Sequence, residues 1–113
     1  MTFLKHIALY ILFLFGNVSI LNGQSTSESL KKTKTDEQVS ELIKAGEEKI
    51  TNNIGLAEKD FLKGLNLAKR VKNKLEEGNA YHNLGKVYLK LNNINKAEYC
   101  FNVAIRLSVE VWD

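Results

Sequence analysis

Residues 83–101 read NLGKVYLKLNNINKAEYCF, and the fold turns on Gly85. The apolar spacing predicts a helix from about residue 76 to 91 and another from Asn95 to about Val109, with Asn95 as N-cap and Glu98 three residues later. The Asn92-Asn93 pair between them supplies the turn, because asparagine tolerates left-handed dihedrals. A glycine inside a helix costs roughly 1 kcal/mol relative to alanine, so the position must return something. Two antiparallel helices approach most closely where a side chain is missing. Gly85 is read as that gap, with Ala97 as the small residue facing it. Tyr88 and Phe101 fill the space beyond, and Ala104 admits the next helix. Burying one such aromatic contributes roughly 1.5–3 kcal/mol, which outweighs the cost of the glycine.

The same pattern occurs earlier in the chain. NNIGLAEKDFLKGLNLA at 52–68 aligns with NNINKAEYCFNVAIRLS at 92–108, offset by 40 residues. Asn52, Asn53, Ile54, Ala57, Glu58, Phe61 and Leu67 recur as Asn92, Asn93, Ile94, Ala97, Glu98, Phe101 and Leu107. Identity at these positions, in helical register, indicates an internal repeat and therefore stacked helix pairs. The segment 54–71 carries its own stripe of Ala57, Phe61, Leu65, Ala68 and Val71. Upstream, Thr35 and Gln38 form a capping-box pair that opens a helix over about 36–51, with Val39, Leu42, Ile43, Gly46 and Ile50 on one face.

The spacing Tyr81-x2-Leu84-Gly85-x2-Tyr88, then Ala97-x3-Phe101-x2-Ala104, resembles the tetratricopeptide repeat. The likeness is clear over about 78–111 and degenerate over about 38–72. It departs from the family pattern in having Tyr81 where tryptophan is usual, in lacking a terminal proline, and in a period longer than 34 residues. The resemblance implies an all-α fold, with antiparallel helix hairpins stacked as a short α-solenoid. It also implies that the first helix of each pair lines a concave groove for an extended peptide or a partner helix. The groove-facing residues would be Asn79, His82, Asn83, Lys86 and Lys90. Asparagine can pair with a peptide backbone and lysine with a carboxylate.

Residues 1–24 read as a secretory signal peptide. Lys5 precedes an apolar run, Ile7 to Leu21, and Gly23 leads into a polar stretch. A membrane anchor needs about 20 apolar residues, and Asn17 interrupts this run. Contact with a membrane is thus expected only during export, to a periplasmic or secreted location. Residues 25–35 are polar and aperiodic, and read as a flexible linker. The helical domain is then 36–113. A single cysteine, Cys100, excludes an internal disulfide, so packing alone must hold an exported domain together.

Chemistry is sparse. His82 and Cys100 are expected to point apart, with His82 towards the inner face of the array and Cys100 half-buried beside Phe101. One histidine lies in the leader, so a zinc site cannot be assembled. No phosphate loop or nucleophile elbow is present, so no cofactor and no enzymatic activity are expected. A net charge of +3 is spread along the chain and does not form the basic stripe that nucleic acid requires. Lys69, Arg70, Lys72 and Lys74 complement a helix C-terminus. What remains is an exported module binding a polypeptide. The alternative is the sensory N-terminal region of a larger bacterial signalling protein, a sensor kinase or transcriptional regulator, which long-helix repeats of this kind resemble. Val109, Val111 and Trp112 lack a polar cap. The last pair should therefore leave an apolar face to be covered by further repeats or by a second copy.

Overall fold

The computed structural model describes residues 24–112. The leader expected at 1–24 lies outside the described residues except for Gln24. By internal contacts the chain divides between Thr33 and Lys34, and the architecture below is that of the second unit. Four helices follow in order: α1 (Gln24–Lys49), α2 (Ile54–Arg70), α3 (Lys74–Lys90) and α4 (Ile94–Trp112). No strand occurs among the described residues. The all-α expectation is met.

The linker is not. Residues 25–35 are helical, as part of α1, and Thr35 lies inside the helix instead of capping it. Residues 30–34 are exposed, but neither glycine nor proline interrupts residues 24–45. Most of the residues present cost only tenths of a kcal/mol in a helix, about 0.7 at most. A helix held at Val39 and Ile43, both buried, therefore extends backwards.

Asparagine opens each later helix. Asn53 Oδ1 accepts from the Leu56 N–H at 3.2 Å, Asn73 Oδ1 from Glu76 at 3.1 Å, and Asn93 Oδ1 from Lys96 at 3.3 Å. The cap of α4 is thus Asn93 and not Asn95. It accepts a donor that would otherwise be orphaned, which starts the helix one residue earlier. Asn73 likewise sets the start of α3 at Lys74, ahead of the expected Glu76. Helices α2 and α3 end in the same motif. Asn73 N–H donates to the Ala68 carbonyl at 2.9 Å and Asn93 N–H to Tyr88 at 2.8 Å. Lys72 and Asn92 sit in the left-handed region, each at φ 59°, as a Schellman cap requires.

The core is shared between the hairpins. Val39 and Ile43 of α1 and Phe61, Leu65 and Ala68 of α2 are buried with Ala80, Tyr81, Leu84 and Val87 of α3. Cys100, Val103 and Leu107 of α4 continue the same cluster. Lys49 pairs with Asp60 at 2.6 Å across the first hairpin, and Lys74 with Glu110 at 2.8 Å across the second.

Candidate functional site

Each hairpin crosses over a glycine and an aromatic ring. A Cβ on Gly46 would come within 2.6–2.9 Å of the Phe61 ring, and one on Gly85 within 2.7–2.8 Å of the Phe101 ring. The partner of Gly85 is therefore Phe101 itself and not Ala97. Ala97 is buried nearby, but the ring occupies the gap. This shared contact fixes the equivalence of the hairpins: Gly46 with Gly85, and Phe61 with Phe101. Positions 39 apart correspond in α1 and α3, and positions 40 apart in α2 and α4.

On the first hairpin one broad face is covered by α3. Leu65 is 6% exposed there, and Val39, Ile43, Phe61 and Ala68 are all buried. The corresponding positions of the second hairpin are Ile105, Gly78, His82, Phe101 and Ser108. Ile105 is 63% exposed, His82 and Ser108 are exposed, and Gly78 and Phe101 are half-buried. A groove of about 550 Å³ runs along this open face, walled by Leu75, Gly78, His82, Phe101, Ile105 and Trp112. Leu75, Val109 and Trp112 add exposed apolar surface, Trp112 being 84% exposed. Val109, Val111 and Trp112 line this groove together with Leu75, Gly78 and Ile105, which periodicity alone did not single out.

The five expected groove residues do not form one surface. Asn79 and His82 line the end groove, with the His82 ring edge-on to Phe101 at 5.6 Å. Lys86 and Lys90 are exposed on α3. Asn83 is a correction. It is 3% exposed, and its Nδ2 donates to Glu47 Oε1 at 3.2 Å and to the Asn79 carbonyl at 3.0 Å. It joins α3 to α1 and presents nothing to a ligand in solution. A buried amide is tolerated when it is hydrogen-bonded. Here the donor side is satisfied, while Oδ1 has no partner among the described residues.

Leu84 is buried, and Tyr81 packs edge-on to Tyr99 at 6.5 Å beneath Lys69 Nζ, 5.4 Å from its ring centre. A hydrogen bond with Tyr81 is the main cause raising the Lys69 pKa. Tyr88 is half-buried under Lys96 Nζ at 5.2 Å, and burial pushes its hydroxyl pKa up. Ala104 is half-buried in the groove wall. Cys100 is buried, and desolvation raises its thiol pKa. That opposes thiolate formation. It lies in the core while His82 is exposed, so the two form no nucleophile–base pair. Among the described residues no group of three or more His, Cys, Asp and Glu could hold a metal ion. None of the described helices is long and apolar enough to cross a membrane.

Stacked antiparallel hairpins with a repeated glycine–ring crossing give the architecture of a short α-solenoid. A family model for the tetratricopeptide repeat matches residues 51–108, and the chain belongs to that family. No curated protein and no solved structure gives a significant match. Repeats of this family generally mediate protein–protein interactions, and the family is one of non-catalytic interaction modules.

Proposed function

We propose that the chain is an exported, non-catalytic interaction module that binds a polypeptide at the open end of its helix stack. The observation that carries this reading is the end groove. Its wall is apolar, and Leu75, Ile105, Val109 and Trp112 expose large side chains around it. A contiguous apolar patch on a small domain marks an interaction surface. Lys86 and Lys90 lie exposed on the groove's first helix and supply cations for a partner's carboxylates. The pattern of Lys5 followed by the apolar run Ile7–Leu21 supports a leader and hence a location outside the cytoplasm.

Photo-crosslinking from single positions in cells tests the reading. A photoreactive residue at position 105 should yield a covalent polypeptide adduct of discrete mass. The same residue at position 94, exposed at the start of α4 and outside the groove, should not. Equal labelling from both positions, or none from 105, would remove the end face as a binding site.

A further inference from the structure

Charge that is spread along the sequence is sorted by the fold, and one helix collects cations. The exposed residues of α2 include four cations, Lys59, Lys63, Lys69 and Arg70, and no acid. Its two carboxylates, Glu58 and Asp60, are half-buried, and Asp60 is paired with Lys49 at 2.6 Å. Helices α1 and α4 mix their signs instead: α1 exposes Glu37, Glu41 and Glu48 around Lys44, and α4 exposes Glu98 and Glu110 beside Lys96 and Arg106. At about 100° per residue, Lys59, Lys63 and Arg70 fall within an arc of roughly 40° and span about 17 Å along the helix. Neither ion pair found among the described residues, Lys49–Asp60 or Lys74–Glu110, draws on these three. Leu56 and Leu62 flank the line, one on either side, 45% and 38% exposed. None of these residues lines the end groove.

A row of cations without acids fits a polyanion, and magnitudes separate the kinds. A folded acidic partner gains at most about 5-fold from each exposed ion pair. It must also offset the lost freedom of two bodies, which requires a buried apolar core. Leu56 and Leu62 are the only large apolar side chains exposed on α2, too few for such a core. A phosphodiester backbone offers the cations a partner and the leucines none. An anionic bilayer uses both. Its surface field acts on every cation near it without matched geometry, at roughly 5-fold per Lys or Arg. Leucines beside a basic ridge enter the boundary between headgroups and acyl chains.

We propose that the outer face of α2 docks the chain on an anionic lipid surface, with Lys59, Lys63 and Arg70 against the headgroups and Leu56 and Leu62 entering between them. This surface is separate from the end groove, and it extends membrane contact beyond export.

The test titrates the chain, as recovered from cells, with vesicles of phosphatidylcholine alone and of equal parts phosphatidylcholine and phosphatidylglycerol. The readout is the ratio of the two affinities, in which any contribution of the apolar run Ile7–Leu21 cancels. Three cations at the surface should favour the anionic vesicles by on the order of 100-fold. Lys59→Gln combined with Lys63→Gln should lower the ratio roughly 25-fold, while glutamine keeps the helix propensity of lysine. Lys34→Gln combined with Lys44→Gln removes the same charge from α1 and should leave the ratio within about 2-fold, because screening confines the field to charges near the surface. Lys59→Arg combined with Lys63→Arg should retain the preference. The preference should vanish in 1 M salt, where the Debye length is about 3 Å. Equal affinity for the two vesicles overturns the proposal. So does an equal loss from both glutamine pairs, which would reduce the effect to net charge. Binding of polyglutamate or single-stranded DNA that the α2 pair abolishes, without a preference for anionic vesicles, would give the face to another polyanion and likewise overturn it. The vesicle result, whichever way it falls, leaves crosslinking from position 105 to decide the end groove.

Discussion

Alanine at Gly46 and at Gly85 should have unequal costs, although the two glycines meet their rings at nearly the same distances. In a helix, Gly→Ala is intrinsically stabilising by about 1 kcal/mol. Against this stands the clash of the new Cβ with a phenyl ring at 2.6–2.9 Å for Gly46 and 2.7–2.8 Å for Gly85. Either ring must move, and what lies behind it decides the outcome. Phe61 is fully enclosed under α3, with 0% exposure, so overpacking falls in the upper part of its usual range, about 2–3 kcal/mol. The net effect of Gly46→Ala is then a loss of about 1–2 kcal/mol. Phe101 is half-buried and borders the open groove. Its ring can turn outwards, and Gly85→Ala should come out within about 0.5 kcal/mol of neutral, the helix gain offsetting the strain. For a domain of this size 1 kcal/mol moves Tm by about 4–8 °C. Thermal unfolding followed by circular dichroism at 222 nm should thus separate the two variants by roughly 5–15 °C. Losses of equal size would mean that the ring at the open end is as confined as the covered one, and the account of the end face would be wrong.

Lys72 occupies a left-handed position that costs an ordinary L-residue about 1–2 kcal/mol. Lys72→Gly should therefore raise stability by about 0.5–1 kcal/mol in urea titration, and an unchanged midpoint would deny the strain. Cys100 is buried with its thiol pKa pushed up, so it should react with a thiol reagent only as fast as the domain opens; rapid stoichiometric labelling of the native protein would contradict its placement. Glu110 accepts a hydrogen bond from Lys74, which lowers its pKa from the ordinary carboxylate value. A carboxylate with a depressed folded-state value stabilises above its unfolded pKa and loses that contribution as pH falls through the folded value. The Tm difference between wild type and Glu110→Gln should accordingly shrink as pH falls through and below the ordinary carboxylate range, and a difference that stays constant into strong acid would exclude the pair as its source. Expressed in a bacterium, the chain should appear outside the cytoplasm with its N-terminus near Gln24 or Ser25, and intact Met1 on a cytoplasmic product would overturn the leader.

The helices and their crossing were legible because a missing side chain opposite a large one leaves a mark at fixed helical spacing. Leu84, Gly85, Tyr88 and Phe101 carried that mark. The matching glycine of the first hairpin was visible only as part of an apolar stripe. Gly46 lies 15 residues before Phe61 and Gly85 lies 16 before Phe101, so comparison at one fixed offset aligns the second helices and slips the first. The asparagine caps at 53, 73 and 93 were a usable signal at even spacing, since α2, α3 and α4 each start one residue later. Asn83 could not be placed from local sequence. Its burial depends on Glu47, 36 residues away, and an amide on a helix looks alike whether it faces solvent or a neighbouring helix. The start of α1 was missed for the opposite reason. Residues 25–35 have no burial pattern to read, and helix there follows from the absence of a breaker.

The two hairpins divide their residues into a set that fixes geometry and a set that fixes what may lie on top. Gly46 and Gly85, Phe61 and Phe101, and Ala57 and Ala97 are identical pairs, and they sit where the helices of each hairpin meet. The residues that differ, Val39 and Gly78, Ile43 and His82, Leu65 and Ile105, Ala68 and Ser108, Glu47 and Lys86, sit on the face the next helix covers. Exchange at the first set alters the crossing itself, at a cost set by how firmly the opposing ring is held. Exchange at the second leaves the crossing intact and changes only which helix fits, because the face is presented by a scaffold already stabilised from below. A stack built this way can keep one fold while each face takes a different neighbour. The reversal from Glu47 to Lys86 is the clearest instance, since the carboxylate that accepts the Asn83 amide of α3 on the first hairpin has an ammonium in its place on the second.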